Sequence, residues 1–281
     1  MTSIVIYTDM DGSLLDHGNY SHQAADALLA ELEAQGIPVV PVTSKTRAEL
    51  LHLRLELNNH HPFIIENGAA VVIPRGYFRI QPAGTEIQGD YWVKAFSRPR
   101  SHWLKIIEQL VPEFADDFDH FAQLDTQQIA SLTGLNPASA KRAAAREYGE
   151  PLHWHGKNAS RLRLMEKLHQ NGAHVLQGGR FLHVSDACNK GDALLWLNNQ
   201  YGLHAESTPP TSIAIGDSQN DAAMLEVADH ALLIPSPAHP PPTQSRTDNL
   251  LHGRGFGPIG WDEGVRRILQ TLYQHKESSH G

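Results

Sequence analysis

The sequence predicts an α/β protein: a doubly wound, Rossmann-like parallel-sheet core interrupted by an inserted α/β domain. Three observations lead there. Short β-branched runs end in polar loops that open helix-period segments, this rhythm occurs near both ends of the chain, and a stretch of different composition separates the two halves. Residues 1–81 and 187–281 are assigned to the core and 82–186 to an inserted cap domain.

The first strand is expected over residues 4–7, an unbroken apolar run of the kind buried in a parallel sheet, ending in the polar loop 8–12. A helix follows over 21–35, with Ser21 as N-cap and Gly36 as stop. A second strand over 37–42 ends at Thr43-Ser44, a helix covers 46–57, and a third short strand, 63–65, precedes Glu66-Asn67-Gly68. The alternation resumes with a helix over 190–201, a strand over 212–215 and a helix over 220–228. Within the insert, Asn136-Pro137 reads as an N-cap followed by proline at the first helical position, opening a long alanine-rich helix that reaches toward Tyr148. The proline-rich run 235–242 lacks backbone donors and has fixed φ angles, so it reads as an extended loop, a plain surface connection being favoured over a border of the active site.

With 281 residues, 41% of them hydrophobic and 19% charged, the chain is long enough for a substantial core and is not disordered by composition. A net charge of -8 argues against nucleic acid as the main partner, which would call for clustered Lys and Arg. The opening MTSIVIYTDMDG meets acids after only a short apolar run, which predicts neither a signal peptide nor a membrane span. One cysteine, Cys188, forms no internal disulfide and fits a reducing compartment, so a cytoplasmic protein is expected. The oligomeric state is left open.

Chemistry concentrates at Asp9-Met10-Asp11-Gly12-Ser13, directly after the first strand, because ligands of open parallel sheets gather at the carboxyl ends of strands. A calcium-binding loop would share the Asp-x-Asp-Gly string. It would also need further ligands where Ser13 and Tyr20 stand, and a helix ahead of it. Three more strand-to-helix junctions carry polar groups: Thr43, Lys190, and Asp217 to Asp221 in Gly216-Asp217-Ser218-Gln219-Asn220-Asp221. Each has a plain alternative as a helix cap or a solvated helix end. Their joint occurrence in this order is harder to reach by chance. The histidine clusters His60-His61 and His153-Trp154-His155 show no ligand spacing of a metal centre and read as solvated or packed.

Taken together, the four junctions resemble the motifs of the haloacid dehalogenase superfamily of phosphatases, in order and across the whole length. Ser13 stands where that superfamily commonly has Thr, and it keeps the hydroxyl. The position of the insert is similar to the type with a large α/β cap. The strings Thr43-Ser44-Lys45-Thr46-Arg47-Ala48-Glu49, Glu66-Asn67-Gly68-Ala69-Ala70, Arg146-Glu147-Tyr148-Gly149-Glu150-Pro151 and Gly178-Gly179-Arg180-Phe181 resemble the mannosyl-3-phosphoglycerate phosphatases.

The resemblance implies Asp9 as nucleophile and metal ligand, and Asp11 as acid and base that also binds metal through its backbone carbonyl. Asp217 completes the metal ligands, with Asp221 as a further acidic contributor. Thr43 and Lys190 would hold phosphoryl oxygens. An all-oxygen site suits Mg2+. The implied substrate is a phosphorylated glycosyl-glycerate, with Arg180 beside Gly179 as first candidate for its carboxylate. Ser44, Lys45, Arg47, Asn67, Arg146, Glu147, Glu150 and Asn220 are further candidates, and for the charged members a helix-surface ion pair is the competing reading. Two alternatives stay open: a related capped phosphatase acting on another sugar phosphate or on the glucosyl analogue, and a phosphoacceptor signalling module. The second is disfavoured by the hundred-residue insert.

Overall fold

The computed structural model describes residues 3–114, 116–178 and 181–278. Along the chain the elements run β1 (Ile4–Thr8), α1 (Asp26–Ala34), β2 (Val39–Pro41), α2 (Arg47–Glu56), β3 (Phe63–Ile65), β4 (Ala70–Pro74), β5 (Glu86–Gln88) and β6 (Tyr91–Ala95). There follow α3 (Arg100–Phe114), β7 (Phe118–His120), α4 (Thr126–Thr133), α5 (Pro137–Ala144), β8 (Glu150–Trp154), α6 (Asn158–Gln170), β9 (His174–Gly178) and β10 (Phe181–Ser185). The chain closes with α7 (Lys190–His204), β11 (Thr211–Gly216), α8 (Ala222–Val227), β12 (His230–Leu233), β13 (Leu250–His252) and α9 (Gly257–Ser278). They divide into two compact units, one of Met1–Thr43, His60–Lys94 and Asn189–Gly281, the other of Ser44–Asn59 and Ala95–Cys188.

The first unit is built on a parallel sheet in the order β13-β12-β11-β1-β2. All five residues of β1 are buried, as a strand covered on both faces requires. Trp261 of α9 is fully buried and donates its indole N–H to Thr8 Oγ1 at 2.9 Å, so the last residue of β1 is held by a side chain far along the chain.

Two expectations about this unit are corrected. The helix expected from residue 21 begins as a 3-10 turn, Gln23–Ala25, and becomes α-helical only at Asp26; Ser21 Oγ accepts from Gln23 N–H at 3.3 Å and so serves that turn. β3, expected in the parallel sheet, meets it only through the isolated parallel bridge Val42–Ile64 and otherwise pairs antiparallel with β4. The reason is local: Glu66, Asn67 and Gly68 take φ of 48°, 60° and 92°, three consecutive left-handed residues that reverse the chain. The second sheet therefore runs β3-β4-β6-β5.

In the second unit an antiparallel sheet, β7-β8-β10-β9, packs Leu152, Leu182 and Val184 against Trp103 and Ile107 of α3 and Leu164 and Leu168 of α6. A smaller cluster joins Ile129 and Ala130 of α4 to Ala140 of α5 and to Phe121. Capping boxes start α2, through Thr46 and Glu49, and α4, through Asp125 and Gln128. Asn136 caps α5 as expected, but that helix ends at Ala144, because Ala145 already leaves helical geometry with ψ of 48°. Among the described residues no helix is long and apolar enough to cross a membrane.

The turn at Gly68 is a close backbone approach: a Cβ there would lie 2.1 Å from the Asn189 carbonyl oxygen. Gly68→Ala is expected to lower stability by about 3–5 kcal/mol, since it combines a disfavoured φ with a backbone clash. Urea unfolding of the two proteins side by side checks this, and a loss under about 1 kcal/mol would contradict the geometry.

Candidate active site

Parallel pairing places the acids together. Thr8 of β1 is in register with Ile215 of β11 on one side and Pro41 of β2 on the other. Neighbouring parallel strands release their next residues at the same edge, so Asp9, Asp217 and Thr43 emerge side by side. Asp9 N–H extends the pairing by donating to Ile215 O at 2.8 Å. The loop then folds tightly on itself, with Leu15 N–H to Met10 O at 2.8 Å and Gly12 N–H to Leu15 O at 2.9 Å. Gly12 has φ of 80°, and a Cβ on it would come 2.5 Å from Asp217 Oδ2, so glycine is required on both counts.

Lys190 is the first residue of α7, whose N-cap Asn189 accepts from Asp192 N–H at 2.9 Å. Its side chain is fully buried and its Nζ donates to Asp9 Oδ1 at 2.5 Å and to Asp221 Oδ1 at 2.6 Å. The other oxygen of Asp221 accepts from the backbone N–H groups of Asp217, at 3.0 Å, and Ser218, at 2.9 Å. Asp221 thus ties lysine and loop together with both oxygens engaged. Asp9, Asp217 and Asp221 each offer a carboxylate oxygen within 4.8 Å of the others.

The electrostatics follow from burial. Loss of water pushes the Asp9 carboxyl well above the usual carboxylate range, the Asp221 charge adds to this, and the Lys190 ammonium opposes it. Burial alone would lower Lys190, but the Asp221 and Asp9 charges outweigh it and raise the ammonium above its ordinary value. Asp217 is pushed up to about 6 by burial, with Asp221 as the next cause. Asp217 Oδ2 and Ser13 Oγ are buried and lack hydrogen-bond partners. Clustered carboxylate oxygens, an orphaned Asp217 oxygen and no sulfur or nitrogen donor among the three suit a hard cation.

The other expected residues are distributed as follows. Asp11 is half-buried in the loop after Asp9, and Thr43 is buried with its backbone tied to Ile64 O and Asn67 N–H. Asn220 Nδ2 donates to Asn67 Oδ1 at 3.1 Å, which joins those two residues in the first unit. In the second unit Arg146 Nη1 donates to Ser44 O at 2.9 Å and Arg47 Nη2 to Glu147 Oε2 at 2.7 Å, while Lys45 is half-buried. Glu150 is fully buried and hydrogen-bonded by His120, Arg100 and Ala122 N–H. Burial raises its carboxyl, but the bonds from His120 and Arg100 prevail and hold it below the ordinary value, as in a structural ion-pair network. Gly179 and Arg180 lie outside the described residues.

Two groups absent from the sequence reading reach Asp217: the Ser236 side chain stands near enough to its carboxylate to lower its proton affinity, and His239 Nδ1 lies 3.8 Å from its Oδ2. Both belong to the proline-rich run read as a plain surface connection. The signal that could have found them is position, since that run directly follows β12, a strand of the same parallel sheet.

Comparison with known proteins gives the family. Residues 6–80 and 164–234 match the family described as haloacid dehalogenase-like hydrolase. A protein of Methanococcoides burtonii named glucosyl-3-phosphoglycerate/mannosyl-3-phosphoglycerate phosphatase is 34% identical over 265 residues, 94% of this chain and 97% of the relative. One of the same name from Persephonella marina is 31% identical, covering 96% and 98%. Among solved structures, a Bacteroides thetaiotaomicron phosphatase of the haloalkanoate superfamily superposes with a TM-score of 0.64 at 16% identity, over 95% of each chain. Fold, site and relatives define an enzyme class, the phosphoric monoester hydrolases. The chain belongs to the haloacid dehalogenase-like hydrolase family.

Because the Asp217 carboxyl is raised to about 6, the folded protein binds that proton more tightly than the unfolded chain. The resulting stability is fully present below the unfolded value near about 4 and is lost as pH rises through about 6. In metal-free buffer Asp217→Asn is therefore expected to be more stable than the wild type at pH 7, by a margin that shrinks toward pH 4. Calorimetric scans of chelator-treated proteins at several pH values check the sign; a margin that widens as pH falls would refute it. Lys190→Met, which strips the cation from buried carboxylates, is expected to cost about 3–5 kcal/mol at pH 7 and less at pH 5.

Proposed function

We propose that this enzyme removes phosphate from mannosyl-3-phosphoglycerate, leaving mannosylglycerate, a compatible solute, and that Asp9 is the covalent phosphate acceptor. The observation that carries the mechanism is the convergence of Asp9, Lys190, Asp217 and Asp221 at one edge of the parallel sheet. The substrate class is supported by relatives in two organisms, both named for the glucosyl and mannosyl esters. The inserted segment 82–186 is proposed as the cap that selects substrate; the compact second unit differs from it in taking in Ser44–Asn59 and starting only at Ala95.

In this mechanism the Asp9 carboxylate attacks phosphorus and the ester oxygen leaves as an alcohol. Asp11 delivers the proton to that oxygen and then accepts one from the water that hydrolyses the aspartyl-phosphate, regenerating Asp9. Lys190 places positive charge beside the attacking carboxylate, and Thr43 at the end of the neighbouring strand offers a hydroxyl to the equatorial oxygens. Asp9, Asp217 and the Asp11 backbone carbonyl are proposed to hold Mg2+, with Asp221 acting mainly through Lys190. Bound there, magnesium supplies Lewis-acid neutralisation of the phosphoryl oxygens. Ser44, Lys45, Arg47, Asn67, Arg146, Glu147, Gly179, Arg180 and Asn220 remain candidates for contacts with the glycosyl-glycerate. Glu150, with both oxygens engaged inside the second unit, is better suited to holding that unit's structure.

Asp9→Asn keeps shape and removes the nucleophile, so kcat should fall by at least about 1,000-fold with the fold intact, as read by phosphate release and circular dichroism. The substrate assignment is checked on a panel. Phosphate release from mannosyl-3-phosphoglycerate, and to a comparable or lesser degree from the glucosyl ester, should exceed that from glucose 6-phosphate or glycerol 3-phosphate. Equal rates across the panel would remove the narrow substrate and leave a general sugar phosphatase.

A further inference from the structure

The proline-rich run after β12 is tied at both of its ends to the loop that carries Asp217. Ile234 N–H donates to Gly216 O at 2.9 Å, and Thr243 N–H donates to the side chain of Gln219 at 3.0 Å, so the segment between them starts and finishes on the loop that carries Asp217. Within it Ser236 Oγ accepts from Ala238 N–H at 3.3 Å, so its hydroxyl proton is not used there, and the side chain is near enough to the Asp217 carboxylate to lower its proton affinity. His239 Nδ1 approaches Asp217 Oδ2, the buried oxygen with no hydrogen-bond partner, to 3.8 Å. The His239 ring is met edge-on by His17, from the loop after the Asp9 turn, with centroids 5.7 Å apart. Five prolines, at 235, 237 and 240–242, restrict the backbone that carries both side chains. A linker serving only to join β12 to β13 has no need of this restriction or of polar groups turned toward a buried acid.

We propose that the segment 235–242 is a fixed wall of the active site, in which Ser236 and His239 act as positioning residues for Asp217. The inference rests on the phosphatase reading for its purpose, but its content is the orientation of one carboxylate. Outer partners of a metal-binding side chain set its rotamer and its charge, and their loss typically costs about 10–100-fold in metal affinity. His17 holds the His239 ring in place from the other loop.

The test uses the full chain, with magnesium alone as the first probe. Calorimetric titration with MgCl2 is run on the wild type, His239→Ala, His239→Asn and the double variant Ser236→Ala/His239→Ala, with melting curves in chelator confirming that each is folded. The double variant is expected to bind magnesium about 10–100-fold more weakly. His239→Asn keeps a nitrogen donor near the place of Nδ1 and should recover most of the affinity lost in His239→Ala. In phosphate-release assays the magnesium concentration at half-maximal rate should rise in parallel, while kcat at saturating magnesium stays within a few-fold of wild type. Unchanged magnesium affinity in a folded double variant overturns the proposal, as does a loss confined to kcat at saturating magnesium. A wild type that shows this dependence in calorimetry yet releases no phosphate from the phosphoglycerate esters supports the positioning role and overturns the substrate reading instead.

Discussion

The ammonium of Lys190, buried between Asp9 and Asp221, is the interaction on which the rest of the site depends. An unpaired ammonium in that position would shed its proton, and an unpaired carboxylate would take one up. The Asp221 and Asp9 charges keep the ammonium protonated against the effect of burial, so the lysine must be delivered with little freedom. The chain does this by making it the first residue of a capped helix, α7, and by wedging Gly68 against the Asn189 carbonyl. Asp221 is fixed in turn by the backbone N–H groups of Asp217 and Ser218. The acid-rich string from Gly216 to Asp221 is thus both a source of charge and the clamp that holds the lysine.

Much of this was legible in the sequence because it depends on short-range rules. A β-branched run followed by Asp9-Met10-Asp11-Gly12 announces a strand end, and parallel pairing brings residues at such ends together whatever separates them along the chain. Asn136 before Pro137 announces a helix start for the same local reason. The features that escaped depend on distant contacts. The proline-rich run has no periodicity of its own, and only its ties to Gly216 and Gln219 bring Ser236 and His239 to Asp217. Glu150 meets Arg100 and His120, both well upstream, through the pairing of β7 with β8 and the packing of α3 against that sheet, which no local pattern encodes.

The reversal at Glu66-Asn67-Gly68 shows how a local signal can be read and its consequence missed. Glycine and asparagine mark a turn, but three consecutive left-handed residues do more than end β3. They return the chain antiparallel into β4 and leave Asn67 bonded to Thr43 O through its backbone and to Asn220 through its side chain. The strained turn therefore links the ends of two strands to the acid-bearing loop. Residues in such conformations persist only where their surroundings over-determine them, and here the surroundings are the site itself.

Charge balance gives the physical reason for a cation at this edge of the sheet. Three buried carboxylates stand against one ammonium, which leaves a surplus of two negative charges if all are ionised. Without a further cation protons relieve the site: burial first, and the neighbouring Asp221 charge second, raise Asp9 and Asp217. A protonated Asp9 would serve poorly as the proposed nucleophile, and a phosphate monoester arriving as a dianion would raise its proton affinity further. A divalent cation held by these carboxylates, as proposed, would displace those protons, leave Asp9 ionised and offset the charge of the incoming ester. The same surplus that makes the metal-free site costly to bury would let it select a doubly charged ion, and Lys190 holds that surplus at two rather than three.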